Sequence, residues 1–191
     1  MSYSTVADVK TYLDVTGTGD DGLIASMLTA ATSAIDTYTG RLFNVQSNTI
    51  RYFDSEADVQ GLTLHLDHDL CEIDSITNGD GTTVTSAQYV TNPRNDTPYY
   101  SIKLKSSYSL WWEDDDNGDS EDAIAISGKW GYSQVPPDDI EKACLRLASF
   151  YYRQKDAQVY DITITPELGQ LTIPQGIPAD VRMMLNRYRR A

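Results

Sequence analysis

The chain has 191 residues, 40% of them hydrophobic, and a formal net charge of −13. That length allows a core of its own, in one domain or in one domain carrying a sizeable insertion. No apolar run approaches the ~18 residues of a membrane-spanning helix, and residues 1–15 lack the basic start and apolar centre of a secretory signal, so neither is expected.

Two helical segments open the chain. Ser4 or Thr5 caps the first, where Val6, Val9 and Leu13 recur at i, i+3 and i+7. Gly17-Thr18-Gly19 breaks that pattern. A second helix opens near Asp20-Asp21, where acids suit the positive end of the helix dipole. Leu23, Ile24, Met27, Leu28, Ala31, Ile35 and Tyr38 form its apolar stripe, and Gly40 suits a left-handed terminator.

From about residue 44 the period changes from helical to alternating. Ile50 and Tyr52, then Leu62, Leu64 and Leu66, alternate with polar residues as half-buried strands do. Ile73 to Thr77 leads into Asn78-Gly79-Asp80-Gly81, a turn, with Thr82 to Thr85 returning as a partner. Tyr89-Val90 and Tyr99 to Leu104 are further strands. Glu113 to Asp122 holds seven acids in ten residues, which predicts a mobile solvated loop. Ala123 to Ser127 is a last strand. Pro136-Pro137 then precedes a helix to about Arg153, with Asp138 and Glu141 at capping-box spacing. Residues 156–177 fit no helix. Ile162 and Ile164 alternate with polar neighbours there, as in a projecting arm. Val181, Met184, Leu185 and Tyr188 stripe one side of a final helix.

Neither helical half buries its apolar face alone, so the ends are expected to pack together with the middle inserted between them. The resulting reading is α+β: a small helical bundle (helices near 5–14, 20–39, 138–154 and 178–189) with an antiparallel β-rich insertion and a C-terminal arm. The expected divisions are 1–43, first part of the helical scaffold; 44–122, β-rich insertion; 123–155, second part of the scaffold; and 156–191, arm and last helix.

Charge is uneven along the chain. Arg182, Arg187, Arg189 and Arg190 fall in the last ten residues, which hold no acid. The other 181 residues carry 11 basic and 28 acidic groups, a balance of −17. Such a body repels duplex DNA. The basic end points instead to an acidic partner surface.

Candidate chemistry is sparse. His65 and Asp67 share one strand face while His68 points away, so no metal site is expected. With Gly118 at the sixth position of a calcium loop, Glu113, Asp115 and Asn117 take ligand positions. Ile124 then stands where a bidentate Glu is required, and an EF-hand is rejected. Cys71 and Cys144 read as buried thiols. Trp111 and Trp112 face opposite ways in an extended segment, so one packs inside and the other is free for a neighbour. No nucleophile elbow, phosphate-binding loop or zinc-protease motif occurs. No enzyme activity and no cofactor are expected.

The order of motifs resembles the head–tail connector (adaptor, or head completion) proteins of long-tailed bacteriophages. The matching residues are Val9, Tyr12 and Leu13; Tyr38-Thr39-Gly40-Arg41; Gly131-Tyr132 through Val135-Pro136-Pro137; and Ile177-Pro178-Ala179-Asp180-Val181 leading to Tyr188-Arg189-Arg190. The resemblance implies a virion protein of the head–tail neck, assembled in the bacterial host cytoplasm. It implies a ring, about twelve-fold, beneath the portal protein and above a stopper or tail-completion protein. Viral DNA would pass through without sequence-specific binding, and no membrane is involved. The expected interface residues are Arg182, Arg187, Arg189, Arg190, Ile162, Ile164, Trp111 and Trp112. Another neck or tail-completion ring component is the alternative, and a glycan-binding β-rich module or a metal hydrolase at His65 and His68 ranks below it.

Overall fold

The computed structural model describes residues 2–157 and 176–190. They form two compact units, one of Met1–Arg41 with Pro136–Ala191 and the other of Leu42–Val135. The class is mixed α+β, with four α-helices and a six-stranded antiparallel sheet among the described residues.

The helical unit comprises α1 (Val6–Leu13), α2 (Asp21–Thr39), α3 (Asp138–Ala157) and α4 (Ala179–Leu185). Thr5 is the cap of α1: its hydroxyl accepts from the Asp8 backbone N–H at 3.2 Å, and the Asp8 carboxylate accepts from the Thr5 N–H at 3.1 Å. That reciprocal pairing satisfies two donors a helix start otherwise leaves bare. α2 buries Ile24, Leu28, Ala31, Ile35 and Thr39, and ends at Gly40 with φ +67°. α3 buries Ile140, Ala143, Cys144, Leu147 and Ala148. Tyr152 completes that stripe, and its hydroxyl donates to Asp20 Oδ2 at 2.5 Å.

Two boundaries differ from the sequence reading. Asp138 is not the cap of α3 but its first residue; the Pro137 carbonyl accepts from the Ile140 and Glu141 N–H groups at 2.8 and 3.0 Å. α4 ends at Leu185 and tightens into a 3₁₀ turn over Asn186–Tyr188, a common way to finish a short helix.

The β-rich unit contains β1 (Thr49–Phe53), β2 (Val59–Gln60), β3 (Thr63–Thr77), β4 (Tyr89–Asn92), β5 (Tyr99–Leu104) and β6 (Ile124–Trp130). The sheet order is β1-β6-β3-β5-β4, with β2 paired to β3. The strand expected at 123–127, in the second part of the helical scaffold, is instead β6, hydrogen-bonded between β1 and β3, and so lies inside the sheet of the β-rich unit. β6 alternates buried and half-buried residues without a break, which marks a central strand. Phe53, Leu64, Leu66, Leu70, Ile76, Ile102, Ile124, Ile126 and Trp130 form the core of this unit.

β1 carries the clearest departure from the expected burial. Ile50 and Tyr52 are 57% and 58% exposed, while Phe53 is buried. Alternation was right, but the face was wrong: Phe53 pairs with Ile124 on the core side, and Tyr52 pairs with Ala125 on the opposite side. β3 crosses the sheet with register shifts between His65 and Leu70, between Leu70 and Glu72, and between Ile73 and Ser75. Such bulges let one 15-residue strand twist enough to serve two neighbours.

Candidate assembly surfaces

The basic end is built on α4. Val181 and Leu185 are essentially fully buried in the helical unit. Two residues of the four-residue stripe are therefore spent on the chain's own helices, while Met184 and Tyr188 are half-buried; seven helical residues cannot stand alone in water. Side chains on either side of that stripe stitch the chain end in place. Arg146 of α3 pairs with Asp180, and Arg187 pairs with Asp139. The Tyr38 hydroxyl donates to Asn186 Oδ1 at 2.6 Å, and the Arg190 N–H donates to the Thr39 carbonyl at 2.9 Å.

The arginines then divide. Arg182, Arg187 and Arg189 are exposed, whereas Arg190 is half-buried. Arg182 Nη2 donates to the Ile177 carbonyl at 3.1 Å. The Arg187 guanidinium lies 5.1 Å from the Tyr188 ring centroid, and that of Arg189 lies 5.8 Å from Tyr38. Both distances are in cation–π range. These guanidiniums are held in place while still carrying charge into solvent. Ile162 and Ile164, and the arm proposed around them, lie outside the described residues.

The two adjacent tryptophans separate as pleating requires. Trp111 is 59% exposed, and Trp112 is buried in the sheet core with its Nε1 donating to the Leu62 carbonyl at 3.1 Å. Trp112 is thereby corrected from an interface residue to a core residue.

The acidic segment that follows is anchored, not loose. Asp115 Oδ1 accepts from the N–H groups of Asn117 and Asp119 at 2.8 and 2.9 Å, and Gly118 adopts φ +83°. The Ser55 hydroxyl donates to Asp114, and the Ser55 N–H donates to the Ser120 carbonyl at 2.9 Å. Asp54 Oδ1 accepts from the Asp122 N–H at 2.9 Å. Asn78, buried at the end of β3, clamps the start of the segment. Its Nδ2 donates to the Trp111 carbonyl at 3.0 Å, and its Oδ1 accepts from the Glu113 N–H at 3.1 Å. Charge density argued for mobility, but carboxylates that accept backbone N–H groups turn the same residues into loop-formers.

His68 Nδ1 lies 2.8 Å from Asp67 Oδ2 and 2.7 Å from Arg51 Nη1. This is a surface cluster whose third member is a cation. Among the described residues no three His, Cys, Asp or Glu side chains converge as metal ligands. Both cysteines are buried, and burial pushes their thiols up. Among the described residues, no helix is long and apolar enough to cross a membrane.

Comparison with known proteins adds family and fold. A family model described as head completion protein matches residues 3–191. No curated protein matches the chain. Among solved structures, chains from the neck of an empty GTA particle computed with C6 symmetry and of a native GTA particle computed with C12 symmetry are similar in fold. Each is 17% identical with a TM-score of 0.59 over 97% of this chain, covering 89% and 88% of those chains respectively. A chain from the virion of a native gene transfer agent particle is 19% identical over 97% of this chain and 89% of that one, at a TM-score of 0.55. With the family match spanning nearly every residue, the chain belongs to the head completion protein family and is a structural, non-enzymatic virion protein.

Proposed function

We propose that the protein forms a ring under the phage portal, joins the DNA-filled head to the stopper or tail, and surrounds the channel through which DNA leaves. The observation that carries this reading is the family match over residues 3–191. The likeness to neck chains computed with C6 and C12 symmetry supports a closed ring, for which about twelve copies is the expected number. In this reading the helical unit is the scaffold and the β-rich unit its insertion.

Electrostatics suit a conduit. A balance of −17 outside the last ten residues gives DNA no strong hold, so transit is not obstructed. The exposed Arg182, Arg187 and Arg189 are the groups proposed to meet carboxylates on the portal, where guanidinium geometry adds direction to charge.

The test is to mix the full chain with portal rings and weigh the product by native mass spectrometry. A stoichiometric complex with one copy per portal subunit, or a simple fraction of it, is expected. Free portal and free chain at every concentration and salt tried would reject the adaptor role.

A further inference from the structure

One cavity of about 200 Å³ opens on the helical unit, and it has an unspent set of groups. Its walls are the Tyr12 and Phe150 rings and Pro178. Ser149, only 3% exposed, stands at its wall with its hydroxyl enclosed and without a hydrogen-bond partner among the described residues. Arg146 at its edge is taken by Asp180, but Arg153, exposed one turn beyond Ser149, has no ion-pair partner among the described residues. Arg146, Ser149, Phe150 and Arg153 stand at i, i+3, i+4 and i+7, so they share one stripe of α3. An unpaired guanidinium beside two rings suits a flat apolar group followed closely by carboxylates.

The chain itself carries that ligand. Trp111 is the most exposed aromatic side chain of the protein's described residues, and Glu113 to Asp116 follow it. Glu113 and Asp116 are exposed, and no partner holds either carboxylate among the described residues. The Asn78 clamp fixes the backbone from the Trp111 carbonyl to the Glu113 N–H, so the indole is presented at the edge of a held segment. Rigid presentation lowers the ordering cost of binding. Buried aromatics flanked by charge pairs are the usual energetic centres of protein interfaces.

We propose that the Tyr12–Phe150 cavity of one copy receives Trp111 of a second copy, with Glu113 and Asp116 meeting Arg153. The contact joins different patches on identical chains, the head-to-tail kind that closes into rings. It rests on the ring reading above and assigns the surfaces between subunits, leaving the portal-facing arginines to a separate role.

Cross-linking two full-length variants tests it without requiring a stable ring. One variant carries Tyr108→Cys beside the Trp111 segment, and the other carries Gln154→Cys beside Arg153. Both positions are exposed, whereas native Cys71 and Cys144 are buried. With a short bis-maleimide, this pair should cross-link about tenfold faster than a Thr97→Cys and Gln154→Cys control pair. Adding Trp111→Ser to the first variant or Arg153→Glu to the second should remove the excess. Rates equal to the control, or an excess that survives both substitutions, overturn the proposal. Portal binding by the Tyr108→Cys and Gln154→Cys proteins without further substitution separates the two readings. Portal binding with no cross-linking excess means that only this interface is wrong, and loss of all portal association in the wild type means that the ring reading itself has failed.

Discussion

Asn78 does more structural work than its place in a turn suggests. Its amide faces two main-chain groups that no strand neighbour satisfies, the Trp111 carbonyl and the Glu113 N–H. Beside it, Gly79 has no room for a side chain: a Cβ there would lie 2.0 Å from the Glu113 carbonyl oxygen. The Asn-Gly pair was legible as a hairpin signal, and the turn does form, with Asn78 N–H donating to the Thr82 carbonyl at 2.8 Å. Its second role, clamping a segment more than thirty residues away, was not legible. Asn78→Ala should cost about 1–3 kcal/mol, the penalty of leaving buried polar groups unpaired. Thermal denaturation followed by tryptophan emission checks this, since Trp111 and Trp112 flank the clamp. An unchanged melting temperature would mean that water replaces the amide.

At the scale of elements, α4 and the acidic loop both depend on contacts outside themselves. α4 is too short to be helical alone, and Leu185, with no exposed surface, is what fixes it to the bundle. Leu185→Ala should destabilise the helical unit by about 2–5 kcal/mol. Removing 178–191 should give early melting or insolubility rather than a folded chain lacking only its portal contact. Circular dichroism melts distinguish these outcomes. In the loop, backbone hydrogen bonding from Asp119, then the side chain and backbone of Asn117, holds the Asp115 carboxyl below its ordinary value of 3.8. A depressed folded-state value means the carboxylate's contribution is present above pH 3.8 and is lost as pH falls through the lower folded value. Amide exchange at Asn117 and Asp119 should therefore be slow at neutral pH and speed up in acid beyond the intrinsic trend. Asp115→Ala should remove that protection at every pH.

For the whole molecule, charge decides more than shape. The acidic body and the basic last ten residues give one chain two electrostatic characters. Partner contacts made by exposed guanidiniums weaken as salt screens them, with a Debye length of about 10 Å at 0.1 M. Replacing Arg182, Arg187 and Arg189 with Gln should lower portal affinity and flatten its dependence on salt, measured by titration at several ionic strengths. An unchanged salt dependence would show that these residues serve only the chain's own end. That result would leave the family assignment intact, since the assignment rests on the match along nearly all of the chain.

The α+β class, the four helices, the turn at Asn78 to Gly81 and the family resemblance were all legible in the order of residues. Periodicity, caps and turn chemistry are local, and they act within a few residues of one another. The sequence also told that one of two adjacent tryptophans faces inward, because pleating alternates side chains. Which one faces inward follows from strand pairing, which also sets β6 between β1 and β3 and turns Ile50 and Tyr52 outward. Strand alternation defines two faces but does not label them; the label comes from which strand pairs with which. Ser149 and Arg153 were equally illegible, because a cavity exists only where α1, α3 and the start of α4 meet. Their chemistry depends on partners that are absent from their own sequence neighbourhood.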